Sequence, residues 1–217
     1  NDVNDVNDTH TYSFIDAKNI RHPIIERIQT DLEYVPNDIL LGKDNNNGML
    51  LFSVNACGKS SYMKSIGTNI IMAQAGMFVS ASKFEYYPFK YLFTRIQNND
   101  NLFAGMSTFA VEMSELKIIM KYADKNSIIL GDELCSGTET LDATALMSAG
   151  IQKLAARKTN FIFATHLHYL AKSKHIKNLP NVALKHLSVI YNTQSKQLEY
   201  KRKLLDGSGP NSYGIEV

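Results

Sequence analysis

Residues 49–60 read Met49-Leu50-Leu51-Phe52-Ser53-Val54-Asn55-Ala56-Cys57-Gly58-Lys59-Ser60, and this stretch decides the fold. Its first half, Met49 to Val54, is a short apolar run of the kind found in strands buried on both faces. From Lys59 to Gly76 the apolar residues Tyr62, Met63, Ile66, Ile70 and Ala73 recur at helical spacing, and Gly76 can close the helix. A buried strand that turns tightly into a helix aims the N–H groups of the turn, and the positive end of the helix dipole, at one point. That geometry suits an anion. The spacing is that of the phosphate-binding pattern G-x-x-x-x-G-K-[ST], with Ser53 standing where the pattern has its first glycine. An ordinary strand-to-helix turn is the alternative reading.

Further elements follow outward from this centre. Lys43 to Gly48, with three asparagines, predicts a turn between two strands. Phe109, Met113, Leu116, Met120 and Ala123 fall at steps of three or four and predict a helix over 108–123. Ser127 to Asp132 and Asn160 to Ala164 read as two more buried strands, with a helix over Leu141–Ala156 between them. Strands alternating with helices of this length indicate an α/β fold with a mostly parallel sheet covered on both faces. Val182–Ile190 and Leu198–Leu204, joined by a polar turn at 192–196, predict an antiparallel hairpin at one sheet edge. Residues 1–10 read as a disordered lead-in and 11–217 as one domain.

The chemistry lies at strand ends. In the phosphate-binding reading, the backbone of Ser53, Val54, Asn55, Ala56, Cys57 and Gly58 wraps the phosphates, and Ser61 follows in the first helical turn. Lys59 neutralises phosphate oxygens, and the Ser60 hydroxyl coordinates Mg²⁺. Asp132 and Glu133 end a buried strand at the sheet edge where α/β proteins bind ligands. Asp132 is the candidate for the Mg²⁺ shell, and Glu133 for orienting and deprotonating an attacking water. Taken alone, such a pair is as often a solvated loop start. His166, at the next strand end, can hydrogen-bond a γ-phosphate or the lytic water, or be structural; His168 points elsewhere.

Bulk properties exclude little. The 217 residues suffice for one well-cored domain, and a net charge of +2 does not argue for nucleic-acid binding. No apolar run is long enough to span a membrane, and no signal-peptide pattern opens the chain. Cys57 and Cys135 lie far apart and in no metal spacing, which favours a reducing, intracellular setting.

Together these segments resemble the ATPase domain of MutS DNA mismatch-repair proteins. Arg21-His22-Pro23-Ile24-Ile25-Glu26 is similar to the segment that opens that domain, and Asn55 with Gly58-Lys59-Ser60 to the family's T-G-P-N-M-G-G-K-S. Phe93-Thr94-Arg95-Ile96 matches F-T-R-I, and Ser107-Thr108-Phe109-Ala110-Val111-Glu112-Met113 matches S-T-F-x-x-E-M. Phe163 to His166 and Ser212-Tyr213-Gly214-Ile215 complete the set. The resemblance implies a P-loop NTPase of the ABC-ATPase type with ATP and Mg²⁺ as ligands. It implies that Tyr34, in Tyr34-Val35-Pro36-Asn37-Asp38, stacks on adenine, and that Asn37 supports the base. It also implies a second MutS-like subunit, whose γ-phosphate is reached by Ser107 at a helix start. Ser107 can equally cap its own helix, and both roles can hold in turn.

There are departures. After Asp132-Glu133 the family reads I-G-R-G-T, whereas this chain has Leu134-Cys135-Ser136-Gly137-Thr138, so Ser136 replaces the loop arginine; Asp142 still matches. With Ser53 and the Asn55-Ala56-Cys57 turn, this resembles the divergent MutS branch of giant viruses and octocoral mitochondria. Nothing is similar to the family's mismatch-wedging, lever or clamp parts. The expectation is therefore an excised domain of a larger, DNA-associated protein that reaches DNA through other domains. Two other readings compete. An ABC- or SMC-like ATPase of another kind would show an L-S-G-G signature and a glutamine loop, which are not found; a module that binds nucleotide without hydrolysis has only Ser53 in its favour.

Overall fold

The computed structural model describes residues 12–28, 33–54, 57–96, 108–135 and 139–209. Its centre is a six-stranded sheet in the order β5-β6-β7-β3-β8-β9. These strands are β3 (Gly48–Phe52), β5 (Tyr91–Arg95), β6 (Ser127–Asp132), β7 (Asn160–Thr165), β8 (Val182–Asn192) and β9 (Gln197–Asp206). The first five run parallel to one another, and β9 pairs antiparallel with β8 as the edge hairpin. The mixed α/β architecture expected from the sequence is thus observed, mostly parallel with an antiparallel edge.

The apolar runs are continuous because the sheet is covered on both faces. Side chains alternate across it. Met49, Leu51, Ile128, Leu130, Ile162 and Ala164 join one core around helix α2 (Lys59–Gln74). Leu50, Phe52, Ile129, Phe161 and Phe163 join the other, against α3 (Thr108–Tyr122) and α4 (Thr140–Ala156). Gly76, at φ 72°, closes α2 as a left-handed cap, with the Met77 N–H reaching the Met72 carbonyl at 2.9 Å. The short helices α5 (His168–Lys172) and α6 (Lys174–Lys177) carry the chain from β7 to β8. No helix among the described residues is long and apolar enough to cross a membrane.

A second, three-stranded antiparallel sheet was not anticipated. It has the order β2-β1-β4, from β1 (Phe14–Ile20), β2 (Asn37–Leu41) and β4 (Lys83–Tyr87), and a short helix α1 (Ile25–Ile28) lies between the first two. Ile15, Ala17, Ile20, Ile39 and Leu41 pack into the same core as Tyr62, Met63, Ile66 and Ile70, so α2 is held between the two sheets. The turn predicted at 43–48 joins β2 to β3. Asp44 and Asn45 sit at φ 52° and 55°, as a two-residue primed turn requires.

Gly48 faces Phe161 in the neighbouring strand, and a Cβ there would lie 2.2 Å from the ring tip. Gly48→Ala therefore lowers stability by about 1–3 kcal/mol, because neither central strand can give way. Urea unfolding checks this, and an unchanged midpoint would contradict so close a contact.

Candidate functional site

The C-terminal ends of β3, β6 and β7 meet at one edge, and every described residue singled out around the phosphate-binding pattern lies there. After β3 the chain turns through Ser53 and Val54 and enters α2 at Gly58, whose φ of 104° suits only glycine. Asn55 and Ala56 lie outside the described residues. Ser53 is not among the described residues with positive φ, so a side chain is tolerated where the pattern has glycine. Its hydroxyl is buried and has no partner among the described residues.

Lys59 is 6% exposed and curls back over the turn. Its Nζ donates to the carbonyls of Ser53 at 3.1 Å and Val54 at 3.2 Å, and lies 3.2 Å from His166 Nε2. Burial lowers its pKa from the usual lysine value, opposed by the charges of Asp132 and Glu133. The Ser60 hydroxyl donates to Asp132 Oδ2. Asp132 Oδ1 is buried and lacks a hydrogen-bond partner among the described residues. A buried carboxylate oxygen left open beside a hydroxyl is costly unless a cation or donor is to arrive.

Glu133 follows at φ 50°, its N–H fixed by the Ala164 carbonyl at 3.0 Å and its Oε1 2.8 Å from His166 Nε2. That single nitrogen can donate to Glu133 or accept from Lys59, but not both. His168 turns away and stacks on Phe52, as expected. A cavity of about 250 Å³ is lined by Cys57, Gly58, Lys59, Ser60, Ser61, Asp132 and Glu133.

A second cavity of about 150 Å³ adjoins the first and shares Cys57, Gly58 and Ser61 with it. Tyr34, Val35, Asn37, Tyr62, Leu187 and Arg202 also line it. Tyr34 is half-buried, and burial raises the pKa of its phenol. Asn37 also lines this cavity, and its amide is tied to β9 as well. Its Nδ2 donates to the Arg202 carbonyl at 2.9 Å and its Oδ1 accepts the Leu204 N–H at 2.8 Å, so both ends are engaged with β9. What this lock holds is Arg202, within β9 at φ 56° where its pairing with β8 is irregular. Arg202 brings its Cδ to 3.9 Å from where a Gly58 side chain would begin. Sequence reasoning missed Arg202 and Leu187, because only the hairpin's irregular register brings them here. Ser107, Ser136 and Ser212 to Ile215 lie outside the described residues; α3 begins immediately after Ser107.

Residues 49–217 match the family model described as MutS domain V. The chain belongs to the MutS family. It is 46% identical to the mitochondrial DNA mismatch repair protein mutS homolog of Sarcophyton glaucum, over 95% of this chain and 20% of that protein. A DNA mismatch repair protein mutS homolog of Acanthamoeba polyphaga mimivirus is 38% identical over 94% of this chain and 21% of its own length. The DNA mismatch repair protein MutS of Finegoldia magna is 39% identical over 97% of this chain and 24% of its own. The octocoral mitochondrial and giant-virus forms are thus among the relatives of this MutS chain, as its departures from the common motif suggested. It spans between a fifth and a quarter of the length of these relatives.

Proposed function

We propose that this MutS-family chain binds Mg-ATP and hydrolyses it to ADP and phosphate, on a P-loop fold of the ABC-ATPase type comprising residues 11–217. The observation that carries this reading is the convergence of buried Lys59, the Ser60–Asp132 pair with its open carboxylate oxygen, and Glu133 around one cavity.

The donors fit a hard divalent cation: a hydroxyl and a carboxylate oxygen, with the remaining positions left for phosphate and water. Ser60 and Asp132 would hold Mg²⁺, which would supply positive charge to offset that of the phosphates. Lys59 exchanges its two carbonyl partners for phosphate oxygens, and the N–H groups of Ser53, Val54, Cys57 and Gly58, with Ser61 in the first helical turn, wrap the anion. Glu133 orients the attacking water and takes its proton. His166, bonded to Glu133, holds that carboxylate and senses the γ-phosphate.

The adjoining cavity takes the base. Tyr34 stacks on adenine from one wall and Arg202 approaches from the other, while Asn37 keeps Arg202 in place. Tyr34→Ala weakens ATP binding about tenfold, the worth of one base–aromatic stack, whereas Tyr34→Phe stays within about twofold. Calorimetric titration of both variants with Mg-ATP checks this assignment, and unchanged affinity in Tyr34→Ala would place the base elsewhere.

In the longer protein a second MutS-like subunit completes each site through Ser107, and nucleotide state shifts the conformation of DNA-contacting domains beyond this chain. Titrating ATP with and without EDTA tests the basic claim: Mg²⁺-dependent binding and release of phosphate are expected. Absence of both would overturn it.

A further inference from the structure

Beside the proposed nucleotide site lies an ionic cluster that takes no part in the chemistry proposed there. Arg95, the last residue of β5, pairs in register with Gly131 one residue before Asp132. Its side chain is 6% exposed and that of Glu112, on α3, only 1%. Arg95 Nε lies 3.6 Å from Glu112 Oε1, and its Nη1 meets the Glu115 carboxylate. Glu112 Oε1 also accepts the Cys135 N–H at 2.6 Å.

The turn that receives this hydrogen bond is unusual. Glu133 and Cys135 sit at φ 50° and 63°, a left-handed conformation that side chains resist and that persists only where the surroundings impose it. One support is Leu134, packed so closely over Gly131 that a Cβ there would lie 2.8 Å from its Cδ1. A second is the Glu133 N–H on the Ala164 carbonyl. The third is Glu112, which reaches the turn from α3. Two charges taken out of water offer little net stability, and an apolar pair would fill such a space at least as well. A role in holding geometry explains their presence better.

We propose that Arg95 and Glu112 form a buried strut that positions Glu133 by holding the strained turn after β6 against α3. Arg95 charge-balances Glu112 from 3.6 Å without a hydrogen bond, and Glu112 holds the Cys135 N–H. The carboxylate of Glu133 is thereby fixed relative to the helix that follows Ser107, so displacement of α3 moves the catalytic turn. Both are positioning residues, and the inference rests on the ATPase reading of Glu133.

The test uses the 217-residue chain with Glu112→Ala, Glu112→Gln and the double variant Arg95→Met/Glu112→Leu, which replaces the ion pair by an apolar pair and keeps the fold. In the double variant kcat falls about 100-fold, as for a displaced catalytic group, while the Kd for Mg-ATP stays within about threefold. Amide exchange at Leu134 and Cys135 rises at least about tenfold in Glu112→Ala, with β3 and β7 unchanged. Glu112→Gln, whose amide oxygen still accepts the Cys135 N–H, recovers turnover to within about tenfold of native. Native turnover with native exchange in the double variant overturns the strut, as does exchange that rises uniformly across the sheet. If the unmutated chain releases no phosphate, or Glu133→Gln turns over normally, it is the ATPase reading that fails. Exchange at the turn in Glu112→Ala then decides the strut alone: faster supports it, unchanged overturns it.

Discussion

Glu133→Gln binds Mg-ATP within about twofold of the native affinity and releases phosphate about a thousandfold more slowly, inside the range of 10²–10⁴ expected when a general base is lost. Glutamine is nearly isosteric, keeps an oxygen to accept from His166, and leaves Lys59, Ser60 and Asp132 untouched. What disappears is the carboxylate that takes the proton from water. The left-handed backbone at Glu133 belongs to the turn and not to the carboxylate, so the variant should fold as the native chain does. Single-turnover phosphate release, with nucleotide binding measured in parallel, separates the two effects. Turnover at the native rate would remove Glu133 from the chemistry.

Lys59→Ala loses about 100-fold or more in ATP affinity. Removing one member of a buried charge pair costs about 2–5 kcal/mol, and each 1.4 kcal/mol is tenfold in Kd. Lys59 is the cation that lines the inner cavity, already stripped of most of its water and held by the Ser53 and Val54 carbonyls. Its replacement also leaves those carbonyls without their donor, so Lys59→Met, which keeps the stem, separates loss of charge from loosening of the turn. Both variants should bind weakly. Micromolar binding by either would mean that the phosphates do not lie against this residue.

The parts of the fold legible in sequence are those where local pattern and burial agree. Met49 to Phe52, Ile128 to Leu130 and Phe161 to Ala164 are continuous apolar runs because both faces of a parallel sheet are covered, and that signal needs no distant partner. Asp132 ends one such strand and Lys59 and Ser60 open the helix that follows another, so the fold brings them together. The three-stranded sheet was invisible for the opposite reason. In β4 the sequence Lys-Phe-Glu-Tyr-Tyr has no fully buried residue, and β1 is broken by Asn19 at φ 51°. Such strands are defined by their pairing rather than by their own composition. Asn37 and Arg202 show the limit most clearly. They are 165 residues apart, and neither the irregular register of β8 and β9 nor the engagement of the Asn37 amide could be read locally. The Arg95–Glu112 pair belongs to the same kind: both residues stood in motifs, but their contact with Cys135 emerges only when β5, β6 and α3 are packed.

The central claim, a Mg²⁺-dependent ATPase whose sites are completed by a second copy, is tested most directly by phosphate release across a range of protein concentrations, with Glu133→Gln alongside. The account predicts a specific activity that rises with concentration, disappears with EDTA and is lost in the variant. Activity independent of concentration would contradict the shared site and the part given to Ser107, and phosphate release undiminished in Glu133→Gln would contradict the chemistry itself.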